Sequence, residues 1–103
     1  MEFIETPTFT RAITTLLADE DYAHLQIALA HTPSLGVVIR GGGGIRKLRY
    51  ALGGRGKRGG IRVIYYWRKD EHQIYMLLVY AKSENDTLSA QQLAMLSELV
   101  KEL

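Results

Sequence analysis

The sequence predicts an α+β fold, a compact antiparallel sheet packed against N-terminal helices and a C-terminal helix. Three observations carry this. Helical periodicity is confined to residues 6–31 and 89–103. Three runs rich in β-branched and aromatic residues (45–52, 61–68 and 74–81) follow one another with only glycine or turn residues between them. Helices first and then a run of strands is the ordering of a segregated architecture, since alternating strands and helices would build a parallel sheet.

Each element has its own local reason. Residues 1–5 read as a short strand with Phe3 as its apolar contact. Thr6-Pro7 starts a helix, a hydroxyl cap followed by a proline at the first helical position. Phe9, Ile13, Leu16 and Leu17 then share one helical face. Asp19-Glu20-Asp21 is expected to close that helix and cap a second, with carboxylates at its positive end. Tyr22, Leu25 and Leu29 supply the second apolar face, and Thr32-Pro33 ends it. Residues 35–39 are extended. Gly41 to Gly44 form a loop whose bare backbone can approach a ligand closely.

Residues 45–52 (IRKLRYAL) alternate as a strand, Gly53–Gly60 (GGRGKRGG) form a cationic loop, and residues 61–68 (IRVIYYWR) are strongly β by propensity. Lys69 to His72 make a hairpin turn. Residues 74–81 (IYMLLVYA) are apolar almost throughout, as in a strand covered on both faces. In the last helix Ser89 and Gln92 form a capping box, Leu88 staples to Leu93, and Leu93, Leu96, Val100 and Leu103 face the core. The coarse order is β-α-α-β-β-β-α in one domain spanning residues 1–103.

Composition narrows the function. The chain has no cysteine, which excludes disulfides and thiolate metal sites and points to the cytoplasm. Its start lacks a basic segment and an apolar core, so no secretory signal is expected. Its apolar run from Met76 to Ala81 is too short to cross a bilayer. The formal net charge of +2 hides a strong asymmetry. Residues 1–39 and 70–103 each carry a net −4, whereas residues 40–69 hold ten bases and no acid. A block of that density is a field source aimed at a polyanion.

Gly54–Gly59 matches the spacing G-x-G-x-x-G, but the following residues form a strand and not a helix, which excludes a dinucleotide site. Lys57 is followed by Arg58 rather than Ser or Thr, so a Walker loop is excluded as well. What remains is a cationic loop suited to phosphates. Alternation puts Lys47, Arg49, Arg62 and Tyr66 on one sheet face if Leu48, Val63 and Tyr65 point to the core. Arg46 then points at the helices, where its head must snorkel or find a carboxylate. Cations together with an aromatic ring suit single-stranded RNA. His24, His31 and His72 have no ligand spacing, so neither a metal nor any other cofactor is expected.

Four segments then carry a resemblance: Gly44–Arg49 (GIRKLR), Gly56–Gly60 (GKRGG), Arg62–Tyr66 (RVIYY) and Tyr80–Glu84 (YAKSE). At their joint spacing the chain resembles toxins of the RelE/ParE superfamily, of the HigB-like branch. The resemblance implies a RelE-like sheet backed by helices. It also implies a type II toxin acting as a metal-independent endoribonuclease that cuts mRNA in the ribosomal A site. A gyrase-poisoning ParE-like toxin and a non-enzymatic RNA-binding module are the alternatives.

Implied partners are the ribosome, mRNA and a cognate antitoxin of helix-turn-helix, HigA-like type, with operator DNA reached only through that antitoxin and no membrane. On the ribosome the implied contact is with the small subunit. By the same resemblance Lys47, Arg62 and Lys82 fall on catalytic positions, and Tyr66 joins them as a candidate. Arg46, Arg49, Arg55, Lys57 and Arg58 are the expected RNA- and ribosome-binding cations. Ile45 stands where the family has a lysine and Ser83 where it has an arginine, and a C-terminal tyrosine has no counterpart. Lys57, Arg58, Tyr66 and Tyr80 are the candidate substitutes.

Overall fold

The computed structural model describes residues 1–51, 60–82 and 87–103. Strand β1 (Glu2–Glu5) leads into helices α1 (Pro7–Leu16) and α2 (Asp19–His31). Strands β2 (Val37–Val38), β3 (Arg46–Tyr50), β4 (Ile61–Arg68) and β5 (Gln73–Ala81) follow, and helix α3 (Ala90–Lys101) comes last. The sheet order is β1-β5-β4-β3-β2. The expected meander β3-β4-β5 is antiparallel throughout, and β2 adds to its edge in the same sense. The sheet is not wholly antiparallel, because β1 pairs with β5 in parallel, Glu2 opposite Gln73 through Glu5 opposite Met76.

Thr6 shows how local sequence sets the layering. Its hydroxyl accepts the Phe9 amide at 3.0 Å, as a helix cap should, and also donates to the Leu77 carbonyl at 2.8 Å. One side chain thus starts α1 and fastens it to β5. The helices cover one face of the sheet. Phe9, Ile13, Leu17, Leu25 and Leu29 pack there against Leu48, Ile61, Val63, Tyr65, Ile74, Met76 and Val79. The cap of α2 differs from expectation. Ala18 is the N-cap and makes no side-chain bond, because the extended backbone at Leu17 and Ala18 delays the helix to Asp19. Asp19, Glu20 and Asp21 therefore occupy its first turn, where they act on the positive helix end as charges.

The opposite face carries a second cluster under α3. Ile45, Ile64, Leu77, Leu96 and Val100 are buried in it, with Tyr66, Tyr75, Leu78 and Leu93 packed alongside. The predicted capping box starts α3, with Gln92 N to Ser89 Oγ and Ser89 N to Gln92 Oε1 both at 3.0 Å. A bulge lies between the two hairpin strands. Ile64 pairs with Leu78 but Tyr65 pairs with Met76, so Leu77 is extra. Leu77 and its neighbour Leu78 consequently both join the α3 cluster.

Tyr65 is fully buried, and its hydroxyl donates to Pro33 O at 2.7 Å and accepts from Gly36 N at 2.8 Å. A β-carbon on Gly36 would lie 2.8 Å from the Tyr65 ring, so glycine is required for that approach. Tyr65→Phe would leave both backbone groups without their partner. It is expected to cost about 2–3 kcal/mol, read as a lower urea midpoint at unchanged slope.

Candidate RNA-binding face

The β3-β4-β5 register decides which side chains meet. Arg49 lies directly opposite Arg62, and Arg62 directly opposite Tyr80, so the three form one row across the sheet. They stand on the face away from α1 and α2, since the adjacent Leu48, Val63 and Val79 belong to the helix-side core. Lys47 pairs with Ile64 and is diagonal to Arg62 on the same face. Arg49 is exposed, Lys47 half-buried, and Arg62 only 4% exposed. The Arg62 guanidinium donates to Ile61 O at 3.3 Å. Packing therefore fixes the aim of Arg62, whereas Arg49 reaches solvent at the rim.

Lys82 joins this end of the sheet through its backbone. Its amide donates to Gly60 O at 3.2 Å, next to the Ile61–Ala81 pair, and its side chain is exposed. Gly60 is the pivot. Its φ of +56° is left-handed, and a β-carbon there would come within 2.2 Å of Tyr50 O. Lys47, Arg49, Arg62, Tyr80 and Lys82 thus gather at one corner of the sheet. The Arg49–Arg62 register sets two guanidinium-bearing side chains side by side, a pairing suited to an anion. Tyr80 has a buried hydroxyl oxygen in the same row.

Two expected site residues are placed elsewhere. Tyr66 shares the face, but it stands four residues along β4 from Arg62, about 13 Å away at the rise of a strand. The two do not converge on one phosphate. Arg46 lies on the helix side, where its guanidinium donates to Gly36 O at 2.8 Å and Ser34 O at 3.3 Å. It has found backbone carbonyls in place of a carboxylate, and its work is to clamp the loop that Tyr65 also holds. Arg46 thus stands on the opposite face from the Arg49–Arg62 row. Ile45 is fully buried under α3, so that position carries core packing and no charge. Arg55, Lys57, Arg58 and Ser83 lie outside the described residues. The strand β4 follows the glycine run directly, and no helix opens there to hold a dinucleotide.

Among the described residues no group of three or more His, Asp or Glu could hold a metal ion. No described helix is long and apolar enough to cross a membrane. A cavity of about 200 Å³ lies on the helix side, lined by Glu5, Thr10, Ile13, Thr14, Leu17, Asp19 and Tyr22. There the Glu5 carboxylate accepts from Thr10 Oγ1 at 2.6 Å and from the Tyr22 hydroxyl. Burial, reinforced by Glu5, pushes the Tyr22 hydroxyl far above its ordinary pKa. Burial likewise raises that of Tyr65. Both tyrosines sit away from the cationic row, and two carboxylates give this cavity the wrong sign for RNA.

Sequence reasoning ranks Tyr80 only as a substitute, because its place opposite Arg62 is set by the turn and the bulge between the two strands. A four-residue hairpin turn brings the start of β4 against the end of β5. Residues 9–103 match the family model described as RelE toxin of the RelE/RelB toxin–antitoxin system.

Proposed function

The chain belongs to the RelE toxin family, toxins of toxin–antitoxin systems, and on that premise we propose that it is a metal-independent endoribonuclease cutting mRNA in the A site of the ribosome. The observation that carries this reading is the cross-strand row Arg49–Arg62–Tyr80, with Lys47 diagonal to it and Lys82 at its edge. A phosphodiester seated on the row meets fixed and mobile positive charge together. The reaction is in-line attack of a 2′-oxygen on the adjacent phosphorus, with departure of the 5′-oxygen. The products are a 2′,3′-cyclic phosphate and a 5′-hydroxyl.

Arg62 and Arg49 stabilise the charge that builds on the phosphate oxygens in the transition state, the term that usually dominates such catalysis. Lys47 or Lys82, as the amine, takes the 2′ proton. The Tyr80 hydroxyl gives a proton to the leaving 5′-oxygen, so the proton balance closes. A cognate antitoxin of the helix-turn-helix type neutralises the activity and carries the pair to operator DNA.

The test is mapping of mRNA 5′ ends after brief induction. Cuts confined to translated regions and lost when translation is blocked are the expected result. Supercoiling defects with intact mRNA would replace this reading with gyrase poisoning, and neither effect would leave binding without cleavage.

Lys57 and Arg58 serve ribosomal RNA phosphates in the same reading. Lys57→Ala and Arg58→Ala should each flatten the slope of log affinity against log salt by about 0.7–0.9. Ribosome pelleting at several salt concentrations measures it.

A further inference from the structure

The turn between β2 and β3 has no role in the row described above, yet it sits on the same side of the sheet. Gly41, Gly43 and Gly44 all have left-handed backbone, with φ of +79°, +75° and +109°, and all three are exposed. The turn therefore presents bare peptide groups. A β-carbon on Gly44 would lie 3.1 Å from Cε1 of Tyr66, so the ring is seated directly against the turn. Tyr66 is half-buried, held from below by the α3 cluster. Arg40, exposed at the entrance to the turn, adds a positive charge.

We propose that Arg40, the Gly41–Gly44 turn and Tyr66 form a second nucleotide subsite, which holds an unpaired base a few nucleotides from the phosphate on the Arg49–Arg62 row. The proposal deepens the reading of this face as an RNA site and rests on it. The Tyr66 ring supplies a stacking surface and Arg40 a phosphate contact. The glycine turn lets the strand come within reach of backbone donors and acceptors that side chains would otherwise screen. Gly44 acts as a positioning residue, because its missing β-carbon sets where the ring lies. Ile64, between Arg62 and Tyr66 on this face, is buried under α3, so the RNA strand would pass along β3 by the half-buried Lys47. The separation of about 13 Å places this base a few nucleotides from the cut, given about 3.4 Å per stacked nucleotide. This subsite reads sequence, while the arginine row reads only phosphate.

Two measurements on the purified full chain test it. Fluorescence polarisation with labelled oligo(A), oligo(C) and oligo(U) reports binding without ribosomes. Sequencing of cut ends on translating ribosomes reports the base distribution around the cut. Tyr66→Ala is expected to weaken the best-bound oligonucleotide about tenfold and to flatten the base distribution, with Tyr66→Phe close to wild type. Gly44→Ala should change the base distribution in the same direction. Arg40→Ala, an exposed change that spares the packing under α3, should flatten the salt slope of oligonucleotide binding by about 0.7.

Unchanged oligonucleotide affinity in both Tyr66→Ala and Arg40→Ala, at wild-type circular dichroism, would overturn the subsite. So would an unchanged base distribution in Tyr66→Ala. The oligonucleotide arm decides the matter even where wild-type protein cuts no mRNA, an outcome that would instead remove the nuclease reading.

Discussion

Arg62→Ala is expected to slow mRNA cleavage on purified ribosomes by about a hundredfold or more while leaving ribosome binding within a factor of about two. Arg62 is 4% exposed and lies in the middle strand of its row, so in the proposed reaction a phosphate would meet a guanidinium already oriented. A preorganised charge stabilises the transition state without ordering cost at the moment of reaction. Arg49, exposed on the neighbouring strand, holds its position less firmly, and Arg49→Ala should lose rate by a smaller factor.

Stability separates this from general damage. Circular dichroism and the melting temperature are therefore read beside the rates, and the comparison is made on Arg62→Ala protein that keeps the wild-type fold. Cleavage at the wild-type rate by a folded, ribosome-bound Arg62→Ala protein would exclude Arg62 from catalysis.

Gly60→Ala should destabilise the protein by about 3 kcal/mol and lower activity with it. The β-carbon would sit 2.2 Å from Tyr50 O and 2.9 Å from Ala51 Cα, and both are main-chain atoms that no rotamer change can move aside. The left-handed φ of +56° adds strain for any residue with a side chain. Relief requires the Tyr50–Ile61 end of the β3-β4 pair to part, which is one residue from the Arg49–Arg62 pair. The Gly60 carbonyl also receives the Lys82 amide, so the same shift moves β5. Chemical unfolding measures the loss. A Gly60→Ala protein of wild-type stability would show that this corner tolerates the displacement.

The sequence makes some of this legible and hides the rest for identifiable reasons. Thr6-Pro7 and the Ser89–Gln92 box are signals complete within one helical turn, and both caps form as read. The phase of Leu48, Val63 and Tyr65 separates the two faces of the central strands, which is why alternation alone puts Arg46 on the helix side. Alternation cannot say which residues stand opposite one another. That depends on the turn at Lys69–His72 and on the bulge at Leu77, and so the Arg62–Tyr80 pairing has no one-dimensional signature. Alternation groups Tyr66 with Arg62 because they share a face, a criterion blind to distance along the strand. The partner of β1 is hidden for a related reason. Four residues of alternating character do not name a strand some seventy positions away.

That distant pairing has a consequence for synthesis. The first strand waits for a partner at Gln73–Met76, and Thr6 waits for the Leu77 carbonyl, 71 residues later. A ribosome making about 5–20 residues per second needs several seconds to supply that partner. During this interval α1 has no sheet to lie on and its apolar face stays open to chaperones. Contacts so far apart in the chain also close slowly once both ends exist. The sheet and the α1 layer therefore close only after β5 has been made.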